Sequence, residues 1–131
     1  MKTLLVSNRK GGSAKTTTAI NLAAALAGRH SVLLLDLDTQ GHAGLGLGCQ
    51  PSEEGGAHGV FAGRTLSESL MPTMLEGLTL APAGLHFDGC ELRPASDYLI
   101  QAVLQEGLEA FFDYCIIDTP PVHDLVLKNA L

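Results

Sequence analysis

Apolar residues fall along this chain in short unbroken runs, separated by longer stretches where they recur at helical spacing. Thr3-Leu-Leu-Val-Ser7 is the first run and reads as a buried parallel strand. Lys15 to Gly28 is rich in Ala and Leu, with Ile20, Ala23, Ala24 and Ala27 spaced as on a helix face, and Gly28 ends it. Ser31-Val-Leu-Leu-Leu35 is a second buried strand that delivers Asp36 and Asp38 at its end. Strand, loop, helix and strand together fit one βαβ crossover.

Beyond it, residues 39–56 read as a polar, Gly-rich loop, Val60-Phe61 starts a short helix, and Leu66 to Met71 forms another. Leu78-Thr-Leu-Ala81 predicts a third strand, Ala95 to Phe111 a second long helix, and Tyr114-Cys-Ile-Ile117 a fourth strand ending in Asp118. The alternation predicts an α/β fold with a mostly parallel sheet and flanking helices, in one domain over residues 1–131. Leu125 to Leu131 reads as the opening turns of a helix without a stop signal, which suggests an apparently truncated domain.

Composition narrows the function. Hydrophobic residues are 46% and charged residues 17% of the chain, which excludes a disordered polymer. The net charge of −6, with only 8 Lys and Arg, gives no basic patch for a DNA duplex. No run approaches the roughly 20 apolar residues of a membrane span, and no leader peptide is visible. Cys49, Cys90 and Cys115 are odd in number and lack metal-type spacing, as expected of a reducing cytoplasm. Cys115 reads as core; His30, His42, His58, His86 and His123 read as surface residues.

The chemistry concentrates in Arg9-Lys10-Gly11-Gly12-Ser13-Ala14-Lys15-Thr16-Thr17, between the first strand and the first helix. Small residues let successive main-chain N–H groups converge on phosphate oxygens, and the helix start adds its positive dipole end. In such a loop Lys15 meets the β- and γ-phosphates and Thr16 offers a hydroxyl to Mg²⁺. A Gly-rich turn before an ordinary helix is the plain alternative. Ala14 departs from the usual pattern, in which Gly precedes the Lys; a positive φ there would cost Ala about 1–2 kcal/mol. Asp36, Asp38 and Asp118 end apolar strands. They suit either strand-end turns or a site for Mg²⁺ and water, and the phosphate loop beside them favours the second.

These segments carry a resemblance. Lys10-Gly-Gly-Ser-Ala-Lys15-Thr-Thr resembles the deviant Walker A loop of the ParA, Soj and MinD ATPases, marked by an additional Lys before the glycine pair. Ser31 to Gly41 resembles the second ParA/Soj motif, with Thr39 in place of the usual Pro, and Cys115-Ile-Ile-Asp118-Thr-Pro-Pro121 resembles the Walker B strand. The likeness implies a P-loop NTPase-like fold whose second half is missing here. It implies ATP and Mg²⁺ as cofactors. Lys10, Gly11, Gly12, Ser13, Ala14, Lys15, Thr16 and Thr17 would hold the nucleotide, and Thr16, Asp36 and Asp118 would attend the metal. Lys10, Lys15 and Asp38 would act in slow hydrolysis, with Lys10 reaching across a homodimer interface and Asp38 orienting water.

It further implies a role in chromosome or plasmid partitioning with a ParB-like adaptor, and contact with DNA only indirectly or through the missing half. Alternatives are a nucleotide-binding module without turnover, and a P-loop domain related to cobyrinic acid amidase-type ligases. In that family further strands extend the sheet beyond the P-loop strand, so a chain of this length is expected to expose that strand as an edge and to self-associate through it or through a swapped element.

Overall fold

The computed structural model describes residues 1–6, 13–37, 42–49, 56–62, 64–84 and 101–118. Its centre is a five-stranded sheet: β1 (Lys2–Val6), β2 (Val32–Asp36), β3 (Met71–Pro72), β4 (Leu78–Ala81) and β5 (Tyr114–Asp118), in the spatial order β1-β5-β2-β4-β3. β1, β5, β2 and β4 run parallel; β3 pairs antiparallel with β4. β5, last in sequence, therefore fills the gap left between β1 and β2.

All five residues of β2 are buried, as an unbroken Val-Leu-Leu-Leu run requires when both sheet faces are covered. Alternation sends Val32 and Leu34 to one face and Leu33 and Leu35 to the other. Helix α1 (Ser13–Ala27) covers the first face. Its Ala19, Ala23 and Ala27 recur every four residues and are buried against Val32, Leu34, Leu80 and Ile116. Side chains this small let the helix approach the sheet closely, and each buried Leu beneath contributes roughly 1.5–3 kcal/mol. The second face is closed by a 3₁₀ segment (Gly56–Ala62), a 3₁₀ turn (Ser67–Ser69), helical residues 101–105 and a further 3₁₀ turn (Leu108–Ala110). Ala57, Leu66, Val103 and Phe112 pack there on Leu33, Leu35, Cys115 and Ile117.

Several elements differ from the sequence expectation. Residues 39–56 contain a helix, α2 (His42–Gly46), because Ala43 and Leu47 are buried against the α1 layer. Tertiary burial outweighs the poor helix propensity of glycine. The helix expected over Leu66–Met71 is only the 3₁₀ turn Ser67–Ser69, and Met71 already belongs to β3. The stretch expected to run as one helix to Phe111 breaks after residue 105, at Gly107, whose φ of 69° an interior helical residue cannot adopt. Gly77 turns the chain from β3 into β4 with φ 86°; a Cβ there would stand 2.6 Å from the Ala27 carbonyl oxygen at the end of α1. The part of the expected helix before residue 101 and the segment 125–131 lie outside the described residues. Among the described residues no helix is long and apolar enough to cross a membrane.

One polar contact ties the second layer together. The Glu106 carboxylate accepts hydrogen bonds from the Leu66 and Ser67 main-chain N–H groups, both at 2.7 Å, and from the Ser67 hydroxyl at 2.5 Å. Burial alone would raise the carboxyl pKa. The hydroxyl bond and the two N–H bonds outweigh it and hold the group below its ordinary 4.5. A depressed folded-state pKa gives stability that is present above pH 4.5 and lost as pH falls through the folded value. Glu106→Gln is therefore expected to lower stability by about 1–2 kcal/mol at pH 7, and the gap to the parent chain should narrow as pH falls below 4.5 in urea titrations.

Candidate functional site

Three parallel strands end together on one side of the sheet. The registers pair Val6 of β1 with Asp118 of β5, and Asp118 with Asp36 of β2. The Leu37 N–H continues the ladder by donating to the Asp118 carbonyl at 2.9 Å. In-register neighbours on adjacent strands lie about 4.8 Å apart, so the two carboxylates are set side by side. Both residues are 0% exposed, and they are the charged side chains buried among the described residues. Strand alternation puts them on the same face as Val32, Leu34 and Ile116, the face that α1 covers.

Helix α1 begins on this side of the sheet: β1 runs towards it and closes at Val6, and Ser13 opens the helix. Ser13, Ala14, Lys15 and Thr16 form the first helical turn, of which the main chain is described; Thr17 follows, exposed. The helix starts two residues earlier than the sequence suggests. No acidic residue occupies its first turn, so no carboxylate of the helix itself offsets the positive dipole end, which favours an anion. Ala14 lies inside the helix, where φ is near −63°, and the strain considered for it does not arise. Lys10, Gly11, Gly12 and Asp38 lie outside the described residues.

Two adjacent buried carboxylates repel unless hydrogen bonds, a shared proton or a cation offsets their charge. Among the described residues no group of three or more His, Cys, Asp or Glu could hold a metal by itself. Two acids beside a phosphate-binding helix end suit Mg²⁺, which is commonly held by one or two carboxylates together with substrate phosphates. The residues present thus fit a Mg²⁺-nucleotide. Cys115, one position from Ile116 on β5, takes no part: burial pushes its thiol up to about 12 and leaves it unreactive. The resemblance supplied the site residues; what it could not supply is the strand register that brings Asp36 against Asp118.

A sheet with its second β-strand displaced by one position, a helix starting from the edge-strand loop and acids ending the two central strands define a P-loop nucleotide-binding class. A family model described as an AAA domain matches residues 1–131. The chain is 40% identical over 134 residues to the chromosome partitioning protein ParA of Myxococcus xanthus, covering 98% of this chain and 47% of that protein. It is 36% identical over 137 residues to the sporulation initiation inhibitor protein Soj of Bacillus subtilis, covering 99% of this chain and 54% of Soj. A solved structure of cobyrinic acid a,c-diamide synthase from Mycobacterium smegmatis, with bound ATP analog and magnesium, superposes with a TM-score of 0.81 at 37% identity, covering 98% of this chain and 54% of that one. The chain belongs to the AAA-domain family, and its relatives there include the ParA/Soj chromosome-partitioning proteins. It spans about half the length of the curated relatives it matches.

Because Ala14 is helical, Ala14→Gly should not improve nucleotide binding. Expected is a stability loss of about 0.5–1 kcal/mol by thermal melt, with ATP affinity within twofold of the parent by calorimetry.

Proposed function

We propose that this chain is the first half of a P-loop ATPase domain that binds ATP with Mg²⁺, hydrolyses it slowly, and uses the bound nucleotide to control dimerisation in chromosome or plasmid partitioning in the cytoplasm. The observation that carries the reading is the in-register pair of buried acids, Asp36 and Asp118, on the face where α1 begins. The ParA and Soj relatives support the partitioning role, and the ATP analog and magnesium in the diamide synthase support the ligand.

In this reading the main-chain N–H groups from Gly11 to Thr17 cradle the phosphates and Lys15 carries its charge to the β- and γ-phosphates. Mg²⁺, when bound, neutralises charge on the transferring phosphoryl group. The Thr16 hydroxyl and the carboxylates of Asp36 and Asp118 hold that ion in place, Asp118 through water. Asp38 orients the attacking water. Lys10 reaches the nucleotide of a second protomer, so that two ATP molecules become part of a dimer interface. An adaptor of the ParB kind stimulates turnover, and DNA is met through the remaining half of the relatives' domain or through the assembly.

Calorimetry and phosphate release, measured together, test this. Mg-ATP should bind, Lys15→Ala should weaken binding at least tenfold, and Asp118→Asn should keep nucleotide binding while losing most of its Mg²⁺ dependence. Tight binding without Lys15-dependent turnover, with DNA and adaptor present, would mark a nucleotide-binding module instead. Absence of magnesium-dependent uptake by folded protein would sink the proposal.

A further inference from the structure

The elements that build the candidate site at one end of the sheet are tied to one residue at the other. Asp113 immediately precedes β5. Its carbonyl accepts the Lys2 N–H of β1 at 2.9 Å, and its own N–H donates to the carbonyl of Ser31, just before β2, at 2.7 Å. Its carboxylate Oδ2 accepts the Ser31 N–H at 3.0 Å, closing a reciprocal pair with that residue. The same oxygen lies 3.7 Å from Nδ1 of His30, just past the end of α1. The His30 ring in turn meets Tyr114 edge-on, with centroids 5.1 Å apart. Glu106 joins elements of the second layer; Asp113 acts within the sheet, where β1, β2, β5 and the end of α1 converge.

Alternation fixes which face each β5 residue takes, but a shift of two residues leaves every face unchanged. Charge decides among the registers that remain. If β5 is withdrawn by two residues, Asp118 takes the place of Ile116, beside Leu34 and Leu4, inside the core on the α1 face. If it advances by two, Asp113 takes the place of Cys115, between Thr3 and Leu33, where the native side chain is 2% exposed. Either shift buries a carboxylate that neighbouring leucines cannot pair. Without the acid at 113 the advanced register is tolerable. Phe112, Tyr114 and Ile116 follow one another along the α1 face, and Cys115 takes the place of Ile117 on the other. That register carries Asp118 about 7 Å past Asp36 and sets Ile116 there instead, so the acidic pair is dissolved.

We infer that Asp113 is a positioning residue for the proposed Mg²⁺ site: its carboxylate, at the far end of the strand, keeps Asp118 level with Asp36. It does so in two ways. Its bonds with Ser31 hold the entry of β5 in the native register, and its charge makes the advanced register costly. Asp113 stands at the opposite end of β5 from the site, so it acts on the metal only through Asp118. The link to magnesium rests on the nucleotide reading above; the register role does not.

Cross-strand Overhauser contacts measured by NMR on the whole chain, with calorimetry of ATP with and without Mg²⁺, test the inference. The parent should show Asp118 opposite Asp36 alone. Asp113→Leu fits the place of Cys115 and cannot accept the Ser31 N–H, so it should add a second set of contacts with Ile116 opposite Asp36. Its magnesium-dependent gain in ATP affinity should fall at least fivefold. Asp113→Asn keeps an acceptor for Ser31 and is still costly to bury. It should hold one register, with a gain within twofold of the parent. Should Asp113→Leu fail to fold, Asp113→Ala is read in the same way. A leucine or alanine variant that melts lower yet keeps Asp118 opposite Asp36 alone would reduce Asp113 to a general stabilising role and overturn the inference. So would an asparagine variant that slips. Slipped contacts in Asp113→Leu, with no uptake of Mg-ATP by the parent chain, would support the register role and defeat the nucleotide reading alone.

Discussion

The parallel pairing of β5 between β1 and β2 is the constraint from which the rest of the molecule follows. It brings a segment more than a hundred positions downstream of β1 into the middle of the sheet, and its register determines what stands at the strand ends. A slip of one residue would turn Asp118 to the opposite face, away from Asp36, and would send Cys115 and Ile117 into the wrong core layer. The hydrophobic cores on the two faces and the acidic pair are thus fixed by one alignment. Packing supplies the free energy that holds two carboxylates where water cannot reach them, and an ionic ligand can then recover part of that cost.

The two faces do different work. On the α1 face, alanines keep the helix low over β5 and β2, so its first turn comes near the strand ends. On the other face the segments are short and mostly 3₁₀, and they rely on specific contacts. Glu106 satisfies N–H groups at the start of the Ser67–Ser69 turn, which have no helical acceptor of their own. That bond joins parts of the chain forty residues apart, and so locks residues 64–70 to the element leading into β5. The layer that carries no candidate ligand residue is nonetheless the one that keeps β5 from shifting.

Much of this was legible in the sequence, for a physical reason. Fully buried parallel strands leave unbroken apolar runs, and all four parallel strands are within a residue or two of their expected places. Small residues and Lys15 before a helical pattern singled out residues 9–17, and the helix does open there, at Ser13. What failed were segments whose structure depends on distant partners. Gly41 to Gly48 has a loop composition, yet Ala43 and Leu47 find a core and His42–Gly46 folds as α2. The helical pattern up to Phe111 gave no hint that Gly107 would take a left-handed conformation. The Glu106 bond has no local signature, since its partners lie on the far side of β3 and β4. Strand order was not legible at all: nothing in the β5 run says that it lies between β1 and β2.

Pro72 and the brevity of β3 bear on how far any assembly of this chain can grow. A sheet with two open edges adds subunits without end and forms filaments; a sheet with one open edge stops when that edge is used. Among the described residues the β3 margin offers a further strand two residues and no N–H at Pro72, so the sheet does not grow past that side. The fold thereby carries a terminator against strand addition along its β3 margin.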